Sequence, residues 1–135
     1  SENEKMKGKV KITKISEDDN LITGEVAGTP IANVKFEIYD DSGKLVDTLI
    51  TKTDGIAISK DLVIGKYIVK EKETGEYYEI NENDFEVEIT KNGEVVGLTI
   101  SNKSKTPPPE KPKEETPKIE VPPIEPIKKL PVTGY

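Results

Sequence analysis

The stretch KVKITKI (Lys9–Ile15) places a lysine at a position where a half-buried strand needs a core residue. Val10 and Ile12 alternate with polar neighbours, and this period of two predicts a strand with one buried face. The next residue on that face is Lys14. Because an ammonium group loses its hydration when it is buried, the identity of its neighbours inside the fold becomes the central question.

Outward from this strand, residues 8–103 consist of short alternating runs separated by turn residues, a pattern typical of an all-β domain. Turns are predicted at Asp40–Gly43, at Lys52–Gly55 and at Lys91–Gly93, the last as a hairpin between two paired strands. About seven strands without helical periodicity predict a single β-sandwich. The alternation predicts these inward-facing residues: Val10, Ile12, Ala32, Val34, Phe36, Ile38, Tyr67, Val69, Phe85, Val87, Ile89, Val96, Leu98 and Ile100.

Two further strands also place one polar residue at the end of their core face. Glu71 follows Tyr67 and Val69 on one face, and Asn102 follows Ile100 on another. For one such residue alone, a position at the rim of the sheet explains the polarity, because a long side chain reaches water from there. The combination of an amine, an acid and a carboxamide favours a second interpretation, since these are the groups of an amide-forming reaction.

The chemistry of that interpretation follows from burial. Burial disfavours charge, so Lys14 would become a neutral amine and Glu71 a neutral acid. The neutral amine is a nucleophile that can attack the side-chain carbonyl carbon of Asn102, while Glu71 shuttles protons and ammonia leaves. The product is a Lys14–Asn102 isopeptide bond, formed once per molecule. Because an amide is a poor electrophile, the fold must hold the groups in contact, where effective concentrations of about 10⁵ M or more are available.

The composition argues against an enzyme. The 135-residue chain has a net charge of −6 and contains no histidine, cysteine or arginine. It therefore lacks the commonest general base and metal ligand, and it can form neither a disulfide nor a thiolate site. We expect no cofactor, no metal and no nucleic-acid partner. The acidic segments Ser16–Asn20 and Asn81–Glu86 lack the spacing of a calcium-binding loop and are interpreted as turns.

The C-terminal region has a different chemistry. Nine of the ten prolines lie after residue 106. Proline fixes φ and lacks an N–H donor, so residues 104–129 can form neither a helix nor an interior strand. We predict an extended spacer of roughly 80 Å, at about 3.1 Å per residue. A Pro-rich ligand for another domain is the alternative interpretation, because four apolar side chains of the spacer could dock on a partner: Ile119, Val121, Ile124 and Ile127.

Five stretches within residues 8–103 carry a family resemblance: GKVKITKI (8–15), AGTPIANVKFEIYDDSGKLV (27–46), TKTDGIAIS (51–59), LVIGKYIVKEKETGEYYEI (62–80) and LTISN (98–102). They resemble the Cna-B domains (SpaA-type, prealbumin-like) of Gram-positive surface proteins and pilins. The resemblance implies a reverse immunoglobulin-like sandwich in which a lysine of the first strand is bonded to an asparagine of the last, beside an acid of the E-box motif. Lys14, Asn102 and Glu71 occupy those positions. The E-box usually continues with a proline before Gly-Tyr, whereas here Gly75 and Tyr77 follow without one.

The last six residues, LPVTGY (Leu130–Tyr135), contain the motif LPXTG, which is cut by sortase transpeptidases. Such a short motif can arise by chance, but its place after a Pro-rich spacer supports it. By resemblance, cleavage falls between Thr133 and Gly134, and the Thr133 carbonyl passes to a sortase cysteine and then to an amine. A precursor is expected to continue into an apolar helix and a basic tail. The motif residues are Leu130, Pro131, Val132, Thr133 and Gly134.

The sequence thus predicts four parts: a linker (1–7), a Cna-B-type sandwich (8–103), a wall-spanning spacer (104–129) and a sortase signal (130–135). The predicted function is structural, as the stalk of an extracellular protein anchored covalently to a Gram-positive cell wall. A minor or basal pilin is its most specific form, with a sortase and peptidoglycan or another pilin subunit as partners. The alternative is an adhesin module that binds a host protein or glycan, which an exposed apolar patch would favour.

Overall fold

The computed structural model describes residues 5–109 and 121–127, and every regular element in these ranges is a strand. None of the described residues belongs to a helix that is long and apolar enough to cross a membrane. The strands are β1 (Lys7–Ser16), β2 (Lys35–Asp40), β3 (Leu45–Ile50), β4 (Ile56–Ile58), β5 (Leu62–Val63), β6 (Gly65–Glu73), β7 (Asp84–Ile89) and β8 (Val95–Asn102).

The central strand of the first sheet is β1. It pairs in parallel with β8 and antiparallel with both β4 and β5. In the strand register, Lys11 is paired with Gly97 of β8 and also with Ile58 of β4. These two strands therefore lie at opposite edges of β1. The second sheet is antiparallel with the order β3-β2-β6-β7. The predicted all-β sandwich is therefore confirmed, and its first and last strands are neighbours.

The core follows the predicted alternation, with Phe85, Val96 and Leu98 half-buried against it, except just before β2. Val34, together with Phe36 and Ile38 of β2, has no exposed surface. Before them, however, Ala32 is only half-buried, and Ile31 is buried in its place. Asn33 explains the difference, because its φ of 61° lies in the left-handed region and interrupts the extended backbone at that point.

The predicted hairpin at Lys91–Gly93 is wrong, because the two strands that it joins lie in different sheets. β7 pairs with β6, whereas β8 pairs with β1. Hydrogen bonds to β1 hold the turn: the Gly93 N–H donates to the Lys7 carbonyl at 2.7 Å, and the Lys9 N–H donates to the Glu94 carbonyl at 2.8 Å. The chain therefore crosses between the sheets here and runs on beside β1 in the same direction.

The strands of the described residues run from Lys7 to Asn102, and the two-residue β5 brings their number to eight. At its C-terminal end, Ser104 forms an isolated bridge with Tyr78. Beyond it, residues 105–109 and 121–127 are exposed and form no regular element. The remainder of the predicted spacer, the predicted sortase signal Leu130–Tyr135 and residues 1–4 lie outside the described residues. The division of the chain into four parts stays a prediction.

Candidate functional site

Lys14 is among the largest fully buried side chains of the described residues, with no exposed surface. The alternation of β1 turns it inward after Val10 and Ile12. Its backbone is fixed at the edge opposite β8: the Lys14 N–H donates to the Gly55 carbonyl at 2.7 Å, and the Lys14 carbonyl accepts from the Ile31 N–H at 3.0 Å. The side chain therefore enters the core from a fully hydrogen-bonded backbone.

Asn102, the last residue of β8, is 1% exposed and supplies the carboxamide. The parallel register pairs Lys14 with Ile100 and Ser16 with Asn102, so the carboxamide lies one inward-facing position beyond the lysine. Lys14 Nζ donates to Asn102 Oδ1. At the other end of the carboxamide, Nδ2 donates to Thr74 Oγ1 at 2.6 Å. Both polar ends of the buried carboxamide thus have a partner.

Glu71 approaches the same lysine from β6 in the opposite sheet. Its Oε1 lies 3.0 Å from Lys14 Nζ, and neither side chain has exposed surface. The contact is an ion pair, although Oε1 makes no hydrogen bond of good geometry among the described residues. The other oxygen, Oε2, accepts from the Asn81 N–H at 2.7 Å. Asn81 Nδ2 in turn donates to the Ser101 carbonyl at 3.0 Å, which connects the acid to the strand that carries Asn102.

Burial dominates the electrostatics of the lysine. Desolvation lowers the pKa of Lys14 to about 8, and the neighbouring Glu71 opposes this shift. The physical reason is that the buried ammonium loses its hydration, whereas the neutral amine has little hydration to lose. A lysine with this pKa is neutral in a sizeable fraction of molecules at weakly alkaline pH, and the neutral amine is the nucleophilic form.

The three residues singled out in the sequence therefore meet in one buried cluster, which we call the Lys14 cluster (Lys14, Glu71 and Asn102). The chemical roles assigned to them from the sequence stay predictions. Two residues that contact the cluster, Thr74 and Asn81, are not found by sequence reasoning. Both lie on the connection around the end of β6, and Asn81 belongs to the segment Asn81–Glu86, whose sequence predicts only an acidic turn. Alternation inside a strand carries no information about which loop residues reach such a site.

Comparison with known proteins places this sandwich in a family. The profile of the SpaA prealbumin-like fold domain matches residues 8–104. The chain belongs to the SpaA prealbumin-like family. The SpaA domain is 33% identical over 81 residues to the trypsin-resistant surface T6 protein of Streptococcus pyogenes serotype M6, a match that covers 60% of this chain and 15% of that protein.

Solved structures give the same result. The TIE protein of Bacillus anthracis superposes with a TM-score of 0.60 at 33% identity, over 73% of this chain and 18% of its own. The minor pilin of Streptococcus agalactiae, a Gram-positive pathogen, superposes with a TM-score of 0.64 at 26% identity, over 77% of this chain and 47% of its own. The predicted family is confirmed, and the SpaA domain is a pilin-type structural domain of Gram-positive surface proteins. It spans less than half the length of each of these relatives.

Proposed function

We propose that the SpaA domain cross-links itself through an isopeptide bond between Lys14 and Asn102, with Glu71 moving the protons. The observation that supports this proposal is the buried contact of the three groups, in which Nζ touches both Oδ1 of the carboxamide and Oε1 of the acid. Held in this way, the amine and the carboxamide react as if at very high concentration, about 10⁵ M or more.

The reaction joins Lys14 Nζ to Asn102 Cγ and breaks the bond between Cγ and Nδ2. Attack requires the neutral amine, which burial favours. Glu71 gives its proton to Nδ2, which leaves as ammonia. The resulting carboxylate takes the proton that Nζ loses through Oε1, which lies 3.0 Å from Nζ. No proton is gained or lost in total, and no cofactor is required.

Such a bond suits a stalk that bears mechanical load. The two strands that it joins are the first and the last, and they run in parallel. Tension applied at the two ends of the domain passes along β1, through the bond, and out after Asn102. The chain between Lys14 and Asn102, which lie 88 positions apart in the sequence, then carries no load. We propose that the domain serves as a rigid stalk unit of a cell-surface protein, with a minor or basal pilin as its most specific form.

Anchoring forms the second part of the proposal. A sortase would cut LPVTG between Thr133 and Gly134 and transfer Thr133 to an amine on peptidoglycan or on another pilin subunit. The support comes from the sequence motif and the Pro-rich spacer before it. The protein would then be extracellular and covalently attached to the cell wall.

One observation favours the adhesin alternative. Three apolar or aromatic side chains near the loop after β1 are exposed: Leu21 at 78%, Val26 at 64% and Tyr77 at 42%. The loop is fixed against Tyr77, because Asn20 Nδ2 donates to the Tyr77 carbonyl at 2.9 Å. If these side chains bind a host protein or glycan, Leu21→Ser with Val26→Ser should abolish retention of the purified domain on arrays of such ligands. No retention of the unaltered domain would remove this alternative.

The experiment that tests the cross-link is an intact mass of the purified protein. We expect a mass lower than the sequence mass by one ammonia. Proteolysis should then release a branched peptide that contains both Lys14 and Asn102. A protein with its full sequence mass would refute the cross-link and leave the SpaA domain with a buried but unreacted ion pair.

A further inference from the structure

The leaving nitrogen of the proposed reaction has its own partner. Thr74 follows β6, and its Oγ1 accepts a hydrogen bond from Asn102 Nδ2 at 2.6 Å. We infer that the Thr74 hydroxyl orients the Asn102 carboxamide for attack and holds its nitrogen as it leaves. This inference rests on the proposed Lys14–Asn102 bond and assigns a further residue to it.

Orientation is the first part of this role. A carboxamide has an acceptor end, Oδ1, and a donor end, Nδ2. Lys14 Nζ occupies the acceptor end and Thr74 Oγ1 the donor end. A carboxamide rotated by half a turn would set its N–H groups against the N–H groups of Lys14. Lys14 therefore selects the orientation in which the carbonyl faces the amine, and the Thr74 hydroxyl holds the carboxamide in that orientation.

Departure of the nitrogen is the second part. When Nζ adds to Cγ, Nδ2 loses its amide resonance and gains a lone pair. Thr74 Oγ1 can go on accepting from an N–H of this nitrogen, which leaves the lone pair open to the proton that Glu71 carries. Glu71 then gives this proton to Nδ2, and ammonia leaves. Thr74 is half-buried whereas the Lys14 cluster is buried, so this nitrogen lies on a side that approaches the surface.

A purely structural role for Thr74 makes a different prediction. If its contact only fastened the loop after β6, any side chain of similar size would serve. Valine has the shape of threonine without the hydroxyl, and serine has the hydroxyl with less bulk. Comparing these two substitutions separates shape from hydrogen bonding.

The test follows bond formation in newly made protein. The full chain is synthesised in a short cell-free pulse, and the loss of ammonia is followed by intact mass. We expect Thr74→Val to react at least about tenfold more slowly, since small displacements of reacting groups cost factors of this order or more. Thr74→Ser should react at close to the unaltered rate. Thr99→Val, the same change at an exposed position of β8, is the matched control.

Each outcome bears on a distinct claim. If the unaltered chain never loses ammonia, the proposed function is wrong. If it loses ammonia and Thr74→Val keeps its rate, the role of Thr74 is wrong. If Thr74→Val and Thr74→Ser are equally slow, the hydroxyl by itself does not preserve the rate, which also overturns the inference. Should the valine variant lack the β-sheet circular dichroism of the unaltered chain, Thr74→Ala gives the same comparison with less bulk.

Discussion

Lys14 and Asn102 are separated by 88 residues along the chain, yet Nζ of the first donates to Oδ1 of the second in the interior of the sandwich. The parallel pairing of β1 with β8 brings about this meeting, because it sets the end of the last strand beside the end of the first. Glu71 completes the contact from the opposite sheet. The site therefore exists only when both sheets are assembled, which links completion of folding to the proposed bond.

Removal of the acid should block the bond. Glu71→Gln keeps the shape of the side chain but removes the carboxylate that accepts the proton from Nζ. We expect the purified variant to have its full sequence mass, whereas the unaltered chain lacks one ammonia. Glu73→Gln, an exposed position on the same strand, is the matched control and should still cross-link. A Glu71→Gln protein that lacks one ammonia would show that the acid has no role.

The bond should raise the free energy of unfolding by restricting the unfolded chain. By analogy with a disulfide, closing a loop of this length contributes about 4–5 kcal/mol. Urea unfolding of the unaltered chain and of Glu71→Gln should differ by about this amount, and Glu73→Gln should match the unaltered chain. Because the chain has no cysteine, adding a reductant should change none of these values. Equal stabilities of the unaltered chain and Glu71→Gln would contradict the prediction.

The rate of bond formation should depend on the protonation of Lys14. Burial lowers the pKa of this lysine to about 8. Below that pH the protonated ammonium has no free electron pair, and above it the neutral amine predominates. The rate of ammonia loss after a cell-free pulse should therefore rise as the pH passes through about 8 and become constant above it. A rate that falls over this range would exclude attack by the neutral amine.

A methyl group at Gly55 should disturb the backbone of Lys14. Gly55 has a φ of +75°, and an added Cβ would lie 2.5 Å from the Lys14 carbonyl oxygen. Gly43 has a similar φ of +84°, but an added Cβ there meets nothing within 4 Å. In both Gly→Ala variants, an alanine held in the left-handed region costs about 1–2 kcal/mol of unfolding free energy. We expect Gly55→Ala alone to lower the unfolding free energy further and to slow cross-linking. Equal losses in the two variants would mean that the backbone accommodates the clash.

The tail should be a sortase substrate. The full chain is incubated with a sortase that recognises LPXTG and with an amine nucleophile, and the new C-terminus is mapped by mass. We expect a product that ends at Thr133, joined to the amine, with release of Gly134-Tyr135. Thr133→Ala and Leu130→Ala should greatly reduce this product, whereas Thr116→Ala in the spacer should not. Failure of the unaltered chain with every sortase of its source organism would reduce the tail to a plain linker.

The sequence by itself determined every strand except the two-residue β5, most of the buried faces and the three residues of the Lys14 cluster. The reason is local: successive side chains of a strand point to opposite faces, so Val10 and Ile12 establish the direction of Lys14, and Ile100 that of Asn102. The alternation fails where the backbone leaves the extended region. Asn33, with its positive φ, makes Ile31 the buried residue in place of Ala32.

Only the tertiary structure decided how the strands pair and which loop residues reach the cluster. The turn at Lys91–Gly93 has the sequence of a hairpin, but hydrogen bonds to β1 direct β8 into the other sheet. Thr74 and Asn81 reach Asn102 and Glu71 through contacts across 28 and 10 residues of chain, respectively. Such contacts depend on where separate strands come to lie, which no local pattern specifies. The sequence therefore supplied the reacting groups, while the assembled sheets supplied their neighbours and their orientation.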